Sequence, residues 1–279
     1  MPAATESAIR SCPLCGADNR AQPVNPYSVA PWEIKTCAKC GFVYLENPPN
    51  YAELEENFAW EKTSAAEEAR RNAARPLAKR LSRAFRHFRQ RVLKRDKLPA
   101  MLALHLPRGK VLDIGCGGGN VLKGLPERYE PHGIEISRVL AAQADALARA
   151  RGGRVVQASA VAGLAQFPAD AMDGALLSAF LEHEAQPAVL LRELHRVLRP
   201  GAPVIIKVPN YACINRAVRG AKWCGFRHPD HVNYFTPASL ARLARDCGFR
   251  VARCTFGDRW PLSDNLWMVL EKTRAAPAG

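Results

Sequence analysis

The sequence predicts an α/β fold built on a mostly parallel sheet. Three observations predict it. After Pro107, short β-branched runs alternate with longer amphipathic stretches, the pattern of strands joined by crossover helices. Four glycines within five residues, Gly115 and Gly117 to Gly119, follow the first such run and open a helical stretch. An acid, Glu135, ends the next run, 22 residues after Asp113.

The elements follow in order. Val111 to Ile114 reads as the first strand of the sheet, and the stretch near Asn120 to Leu125 as its helix. His132 to Glu135 is the second strand. Ser137 is placed to cap the helix that runs through Ala150, because its hydroxyl can accept from a free first-turn N–H. Arg154 to Val156 is a short third strand and Gly174 to Leu177 the fourth. A helix over Val189 to Leu198 is stopped by Pro200-Gly201, and Val204 to Val208 is the fifth strand. Pro237 to Cys247 is a further helix with Gly248 at its C-cap. Val251 to Phe256 and Leu266 to Glu271 close the sheet.

Three regions are expected: a loop-rich module over 1–50, a basic helical linker over 51–106 broken at Pro76 and Pro99, and the sheet domain over 107–279. The chain has 279 residues, 48% of them hydrophobic, enough for one large domain with an appendage. No apolar run reaches the ~18 residues needed to cross a bilayer, and residues 1–10 carry no apolar signal segment, so a cytoplasmic protein is expected. The net charge of +14 permits contact with nucleic acid, anionic lipid or phosphorylated metabolites and selects none of them.

The glycine loop has a chemical reading. Its glycines let the backbone approach a ligand closely and take positive φ. A helix N-terminus offers N–H groups to a carboxylate, and Glu135 can accept from both hydroxyls of a ribose. A nicotinamide dinucleotide fits less well. Its G-x-G-x-x-G fingerprint finds Asn120 or Leu122 where the third glycine belongs, and Asp113 would repel a pyrophosphate.

The segment Val111 to Val121 resembles the first motif of class I S-adenosylmethionine-dependent methyltransferases. His132 to Ser137 resembles the second, Ala171 to His183 the fourth-strand segment, and Leu194 to Gly201 the turn before the fifth strand. The resemblance covers roughly residues 107–271 and implies a Rossmann-like class I methyltransferase sheet with an antiparallel closing strand. It implies S-adenosylmethionine held by Asp113, Gly115, Cys116, Gly117, Gly119, Glu135, Ile136, Ser159, Ala160 and Ser178. Ser159 stands where many members carry an acid for the adenine amine.

Nine cysteines include two C-x-x-C-G knuckles, Cys12/Cys15 and Cys37/Cys40, with 21 residues between them. Disulfides and a redox pair are alternatives. Structural Zn²⁺ held by these four thiolates in a zinc-ribbon-like module is favoured, because a reducing compartment disfavours disulfides. Cys37 to Pro49 also resembles the zinc-binding head of class I methyltransferases related to sugar and small-molecule methylating enzymes.

Between Arg70 and Lys97 there are twelve Lys or Arg and one acid, with Leu77, Leu81, Phe85, Phe88 and Val92 on one helical stripe. A packed linker helix is the plain reading. A surface for RNA, a peripheral membrane contact and a lid over the substrate are the sharper ones.

In open α/β sheets, ligands bind beyond the carboxyl ends of the strands. Glu182 and His183 follow strand four, Asn210 and Tyr211 follow strand five, and His228 to Phe235 form a polar-aromatic loop. That loop resembles a His-x-x-Tyr-Phe segment of many relatives. His183 and His231 are the expected base or orienting groups, since histidine titrates near neutrality. Asn210, Tyr211 and Tyr234 are expected at the acceptor. The expected function is methyl transfer to a small molecule such as a sugar nucleotide, glycan precursor or lipid-linked intermediate. The alternatives are an rRNA or tRNA methyltransferase using the zinc module and basic helix, and a non-catalytic binding module. The sequence leaves the oligomeric state open.

Overall fold

Alternation of side chains across a strand decides how this sheet is buried. In the computed structural model, which describes residues 9–49 and 97–273, one face presents Leu112, Ile114, Leu177, Val204, Ile206 and Leu270 to a core with Leu190, Leu194 and Leu240. The alternate residues Val111, Leu176, Ile205 and Val269 face a second core with Met101, Leu102, Ala144 and Ala148.

The described chain opens with β1 (Ile34–Thr36) and β2 (Val43–Leu45), then α1 (Lys97–His105), β3 (Gly109–Ile114), α2 (Asn120–Gly124) and β4 (Tyr129–Glu135). It continues through α3 (Arg138–Arg149), β5 (Val155–Gln157), α4 (Ala160–Leu164), β6 (Gly174–Ser178), α5 (Pro187–Val197) and β7 (Pro203–Pro209). It ends with α6 (Ile214–Arg219), β8 (Asn233–Tyr234), α7 (Pro237–Asp246), β9 (Phe249–Arg253) and β10 (Asn265–Lys272). Seven strands form one sheet in the order β5-β4-β3-β6-β7-β10-β9. β3, β4, β5, β6 and β7 pair in parallel, and β10 enters antiparallel between β7 and β9. The mostly parallel sheet with an antiparallel closing strand is therefore present.

Local chemistry sets the element ends. The Ser137 hydroxyl accepts from the Leu140 N–H at 3.3 Å and caps α3. Thr236 and Ser239 form a reciprocal capping box on α7, and Gly248, at φ +85°, ends it.

Some sequence expectations need correction. α1 is described from Lys97 and Pro99 lies in its first described turn, while the break expected at Pro76 lies outside the described residues. The strand expected to reach Phe256 stops at Arg253, and Phe256 begins a 3-10 turn stabilised by the Thr255/Asp258 capping box. α4, α6 and β8 are too short to carry a periodic signal. The amphipathic stripe expected from Arg70 lies outside the described residues except for Lys97.

A second sheet has the order β1-β2-β8 and joins the cysteine head to the main domain. Val43 pairs with Tyr234 and Tyr44 with Asn233, both antiparallel. Alternation again splits the hairpin: Phe42 and Tyr44 enter the main core, while Ile34, Val43 and Leu45 pack with Trp223, Phe226 and Tyr234 in a third cluster. Burying side chains of this size contributes roughly 1.5–3 kcal/mol each, so the head and the 211–235 region stabilise each other.

Candidate functional site

The carboxyl ends of β3, β4, β5 and β6 lie side by side, and the sequence-expected cofactor residues gather there. Gly115, Gly117 and Gly119 have φ of +70°, +52° and +82°, the left-handed region that disfavours a side chain. At Gly115 a Cβ would meet the Phe180 ring at 2.3 Å, and at Gly119 it would meet Leu147 at 2.9 Å. Gly117 differs: nothing lies within 4 Å of its would-be Cβ, so the loop crest faces open space.

Glu135 ends β4 beneath that crest. Its Oε2 accepts the Gly117 N–H at 2.8 Å and its Oε1 the Ser137 N–H at 2.9 Å. Each oxygen keeps a second lone pair for a ribose hydroxyl. Asp113 is buried, and burial together with the charge of Glu135 raises its carboxyl to about 8. Two acids under a glycine crest, whose ionised forms a neighbouring cation favours, suit a ligand that carries ammonium and sulfonium charge, so the residues fit S-adenosylmethionine. Ile136 follows the strand end, and Gln157 donates through Nε2 to its carbonyl at 3.0 Å. Ser159 precedes α4 without making a side-chain cap bond, Ala160 is buried, and Ser178 ends β6. The Cys116 thiol packs into the core over Gly133, and burial pushes it up, which leaves its backbone to face the crest.

Beyond β6 and β7 a second set of residues converges. Ala179 takes φ +59°, a strained non-glycine conformation at a strand end. Glu182 is 1% exposed, and burial raises its carboxyl to about 8. His183 Nδ1 lies 2.8 Å from the Asp230 carbonyl, and His231 Nδ1 lies 2.9 Å from the Gly225 carbonyl. A carbonyl only accepts, so Nδ1 carries the hydrogen in both rings and each Nε2 keeps its lone pair. The rings meet edge to face at 4.7 Å. Burial lowers His183 to about 4 and His231 well below its ordinary value, with His183 adding to the latter, so both are neutral at pH 7.

The expected acceptor residues are held in three different ways. Asn210 is buried, and its Oδ1 accepts the Ala212 N–H at 3.1 Å, shaping the turn after β7. Tyr211 is half-buried, with the Arg216 guanidinium 4.3 Å above its ring. Tyr234 in β8 packs against Phe226 at 5.2 Å and Tyr211 at 6.0 Å. Among the described residues its buried hydroxyl has no hydrogen-bond partner.

Arg10 is the residue that sequence reasoning missed. Its Nε donates to the Leu45 carbonyl at 2.7 Å and Nη1 to the Ala185 carbonyl at 2.7 Å. Nη2 donates to the Val232 carbonyl at 2.5 Å and to Asn233 Oδ1 at 3.2 Å. Asn233 then donates to the Leu181 and Glu184 carbonyls at 3.1 and 2.6 Å. One guanidinium thus ties the head to both loops that carry the histidines. A single arginine before the first cysteine gives no sequence signal of this.

Cys12, Cys15, Cys37 and Cys40 bring their sulfurs within 4.8 Å of one another, with Cys12–Cys40 at 3.6 Å and Cys15–Cys37 at 3.5 Å. A tetrahedral zinc with Zn–S near 2.3 Å spaces its sulfurs by about 3.8 Å, so the four thiols fit that ion.

Comparison with known proteins gives the chain its family. A family model described as a methyltransferase domain matches residues 85–253. The ubiquinone biosynthesis O-methyltransferase of Burkholderia pseudomallei (strain 1710b) is 28% identical over 160 residues, covering 53% of this chain and 67% of that protein. Its counterpart in Aeromonas salmonicida (strain A449) is 29% identical over 164 residues, covering 56% and 68%. Among solved structures, the 1,6-didemethyltoxoflavin-N1-methyltransferase of Burkholderia thailandensis, with bound 1,6-didemethyltoxoflavin and S-adenosylhomocysteine, shares the fold. It superposes with a TM-score of 0.53 at 20% identity, covering 86% of this chain and 99% of that one. With the glycine crest, Glu135 at the end of β4 and the sheet order all in place, the chain belongs to the methyltransferase domain family and is a class I S-adenosylmethionine-dependent methyltransferase.

Proposed function

We propose that the acceptor is a small molecule, bound between the glycine crest and the loops that carry His183 and His231. The observation that carries this reading is the pairing of the cysteine head with β8. The head's strand ends beside Asn233–Tyr234, close in sequence to His231, and Arg10 fastens it to the 181–185 loop. A head built into the wall of the acceptor side suits a confined ligand better than an extended RNA surface. The names of the matched relatives, which act on a ubiquinone precursor and on 1,6-didemethyltoxoflavin, support a small acceptor with an ionisable O–H or N–H. A sugar nucleotide, glycan precursor or lipid-linked intermediate falls within the class that the head's resemblance implies.

The four cysteines hold Zn²⁺ in this reading, and the ion fixes the knuckles of a head too small for a core of its own. The bound cofactor supplies an electrophilic methyl group on a sulfonium. Glu135 and the glycine crest hold and orient it, and burial keeps the acceptor side poor in water. Neutral His183 and His231 present Nε2 lone pairs that accept the acceptor's proton or orient its hydroxyl.

The test is transfer of labelled methyl from S-adenosylmethionine into a fractionated cell extract. Label in the small-molecule or lipid fraction is expected. Label in RNA overturns the reading, and cofactor binding without any turnover marks a non-catalytic module.

A further inference from the structure

Glu182, His183 and His231 share a geometry that gives the two Nε2 lone pairs a second use, exclusive of proton acceptance by the free imidazoles. One ligand atom from each lies within 4.8 Å of the others. Both histidines spend Nδ1–H on a backbone carbonyl, Asp230 at 2.8 Å and Gly225 at 2.9 Å. That arrangement fixes the tautomer and ring plane of a metal-ligating histidine and leaves Nε2 as the donor atom. Glu182 is 1% exposed, and among the described residues its Oε2 has no hydrogen-bond partner. A buried carboxylate oxygen left unpaired is costly, and such groups are normally paired or coordinate a metal. Arg227, a cation of the same loop, is paired with Asp230 at 2.8 Å.

From the convergence of these three side chains and the unpaired Glu182 oxygen, we propose that Glu182, His183 and His231 form a site for a divalent first-row transition metal. Two imidazoles and one carboxylate suit Zn²⁺, Fe²⁺, Mn²⁺ or Co²⁺. Bonds near 2.1 Å set tetrahedral ligand atoms about 3.4 Å apart, so atoms within 4.8 Å of one another draw together when the metal binds. Three protein ligands leave a position open to water or to an oxygen of the acceptor, as in catalytic metal sites. This centre is distinct from the cysteine head in both ligand chemistry and place.

The experiment uses the full chain with its head loaded with zinc. Co²⁺ alone is titrated in, followed by visible absorption and by metal content per chain after desalting. One further Co²⁺ per chain is expected, with weak d–d bands and none of the near-ultraviolet thiolate charge-transfer absorption that exchange into the cysteines gives. E182Q and H231Q are expected to weaken that binding at least about tenfold, with circular dichroism reporting that each is folded. H183Q replaces either variant that is not. A wild-type chain that takes up no Co²⁺ beyond its head overturns the proposal whatever the variants do, as do folded variants that bind like wild type. Because Co²⁺ uptake is read without any acceptor, a failed search for methyl acceptors leaves this result independent.

Discussion

The two halves of the site are built by opposite means. On the cofactor side, one contiguous stretch does most of the work: Gly115 to Gly119 bend the backbone, and Glu135 reaches the Gly117 N–H from the neighbouring strand. On the acceptor side, three remote segments meet. Arg10 bonds Ala185 and Val232, which lie 175 and 222 residues away, and Asn233 closes the loop onto Leu181 and Glu184. The first half depends on backbone conformation and tolerates little added volume. The second depends on satisfied buried polar groups and on the head staying in place.

Perturbations should therefore separate the halves. The largest effect is expected from Cys37→Ser, or from a chelator that removes the zinc proposed for the head. Methyl transfer should fall by two or more orders of magnitude, on the scale of losing a structural zinc. Affinity for S-adenosylhomocysteine, read by calorimetry, should change little. Loss of both together would show that the halves are not separable. Gly115→Ala is the converse. Its methyl would collide with the Phe180 ring from a left-handed backbone, costing on the order of 3 kcal/mol. S-adenosylhomocysteine binding should weaken about a hundredfold, and the thermal midpoint should drop.

Arg10→Met removes all four guanidinium hydrogen bonds of the latch and takes the side-chain donor from the Leu45 and Ala185 carbonyls, while the Val232 carbonyl keeps the Leu45 N–H. Turnover is expected to fall about tenfold while product affinity holds, and Arg10→Lys should not rescue it, because an ammonium cannot reproduce the fork. A variant with normal turnover would mean that β8 pairing alone positions the loop.

The smallest effect belongs to Asp258, outside both halves. Burial alone would raise its carboxyl, but the Thr255 hydroxyl and N–H, Lys97 and Arg253 hold it near 2. Its folded value lies below its unfolded one, so its contribution is present above pH 4 and lost as pH falls toward 2. Asp258→Asn should cost on the order of 2 kcal/mol at pH 7 and flatten the acid limb of a denaturation series. An unchanged acid limb would remove Asp258 from the account.

This contrast also explains what could be read from the sequence. Val111 to Glu135 shows its role because strand, glycine turn and acid are close neighbours along the chain. The head was recognisable from its paired knuckles. Its attachment was not, because β8 spans only Asn233 and Tyr234 and the latch hangs on one arginine. His183 could be nominated from the end of its strand and His231 from the polar-aromatic loop His228 to Phe235. Their edge-to-face meeting and the carbonyls that fix their tautomers follow only from the folding of the 225–231 loop.

The shared sheet also sets an order of events during synthesis. β2 is made before its partner strand, since Arg10 must wait 222 residues for Val232. At ~5–20 residues per second, that interval is roughly 10–45 s. Throughout it the hairpin carries an unpaired edge and the apolar faces of Ile34, Val43 and Leu45, the kind of surface that invites association with other nascent chains. A metal captured by the knuckles at the outset would keep the hairpin folded until its partner strand is made. Zinc supply during translation should therefore govern yield of soluble protein as well as activity of the finished enzyme.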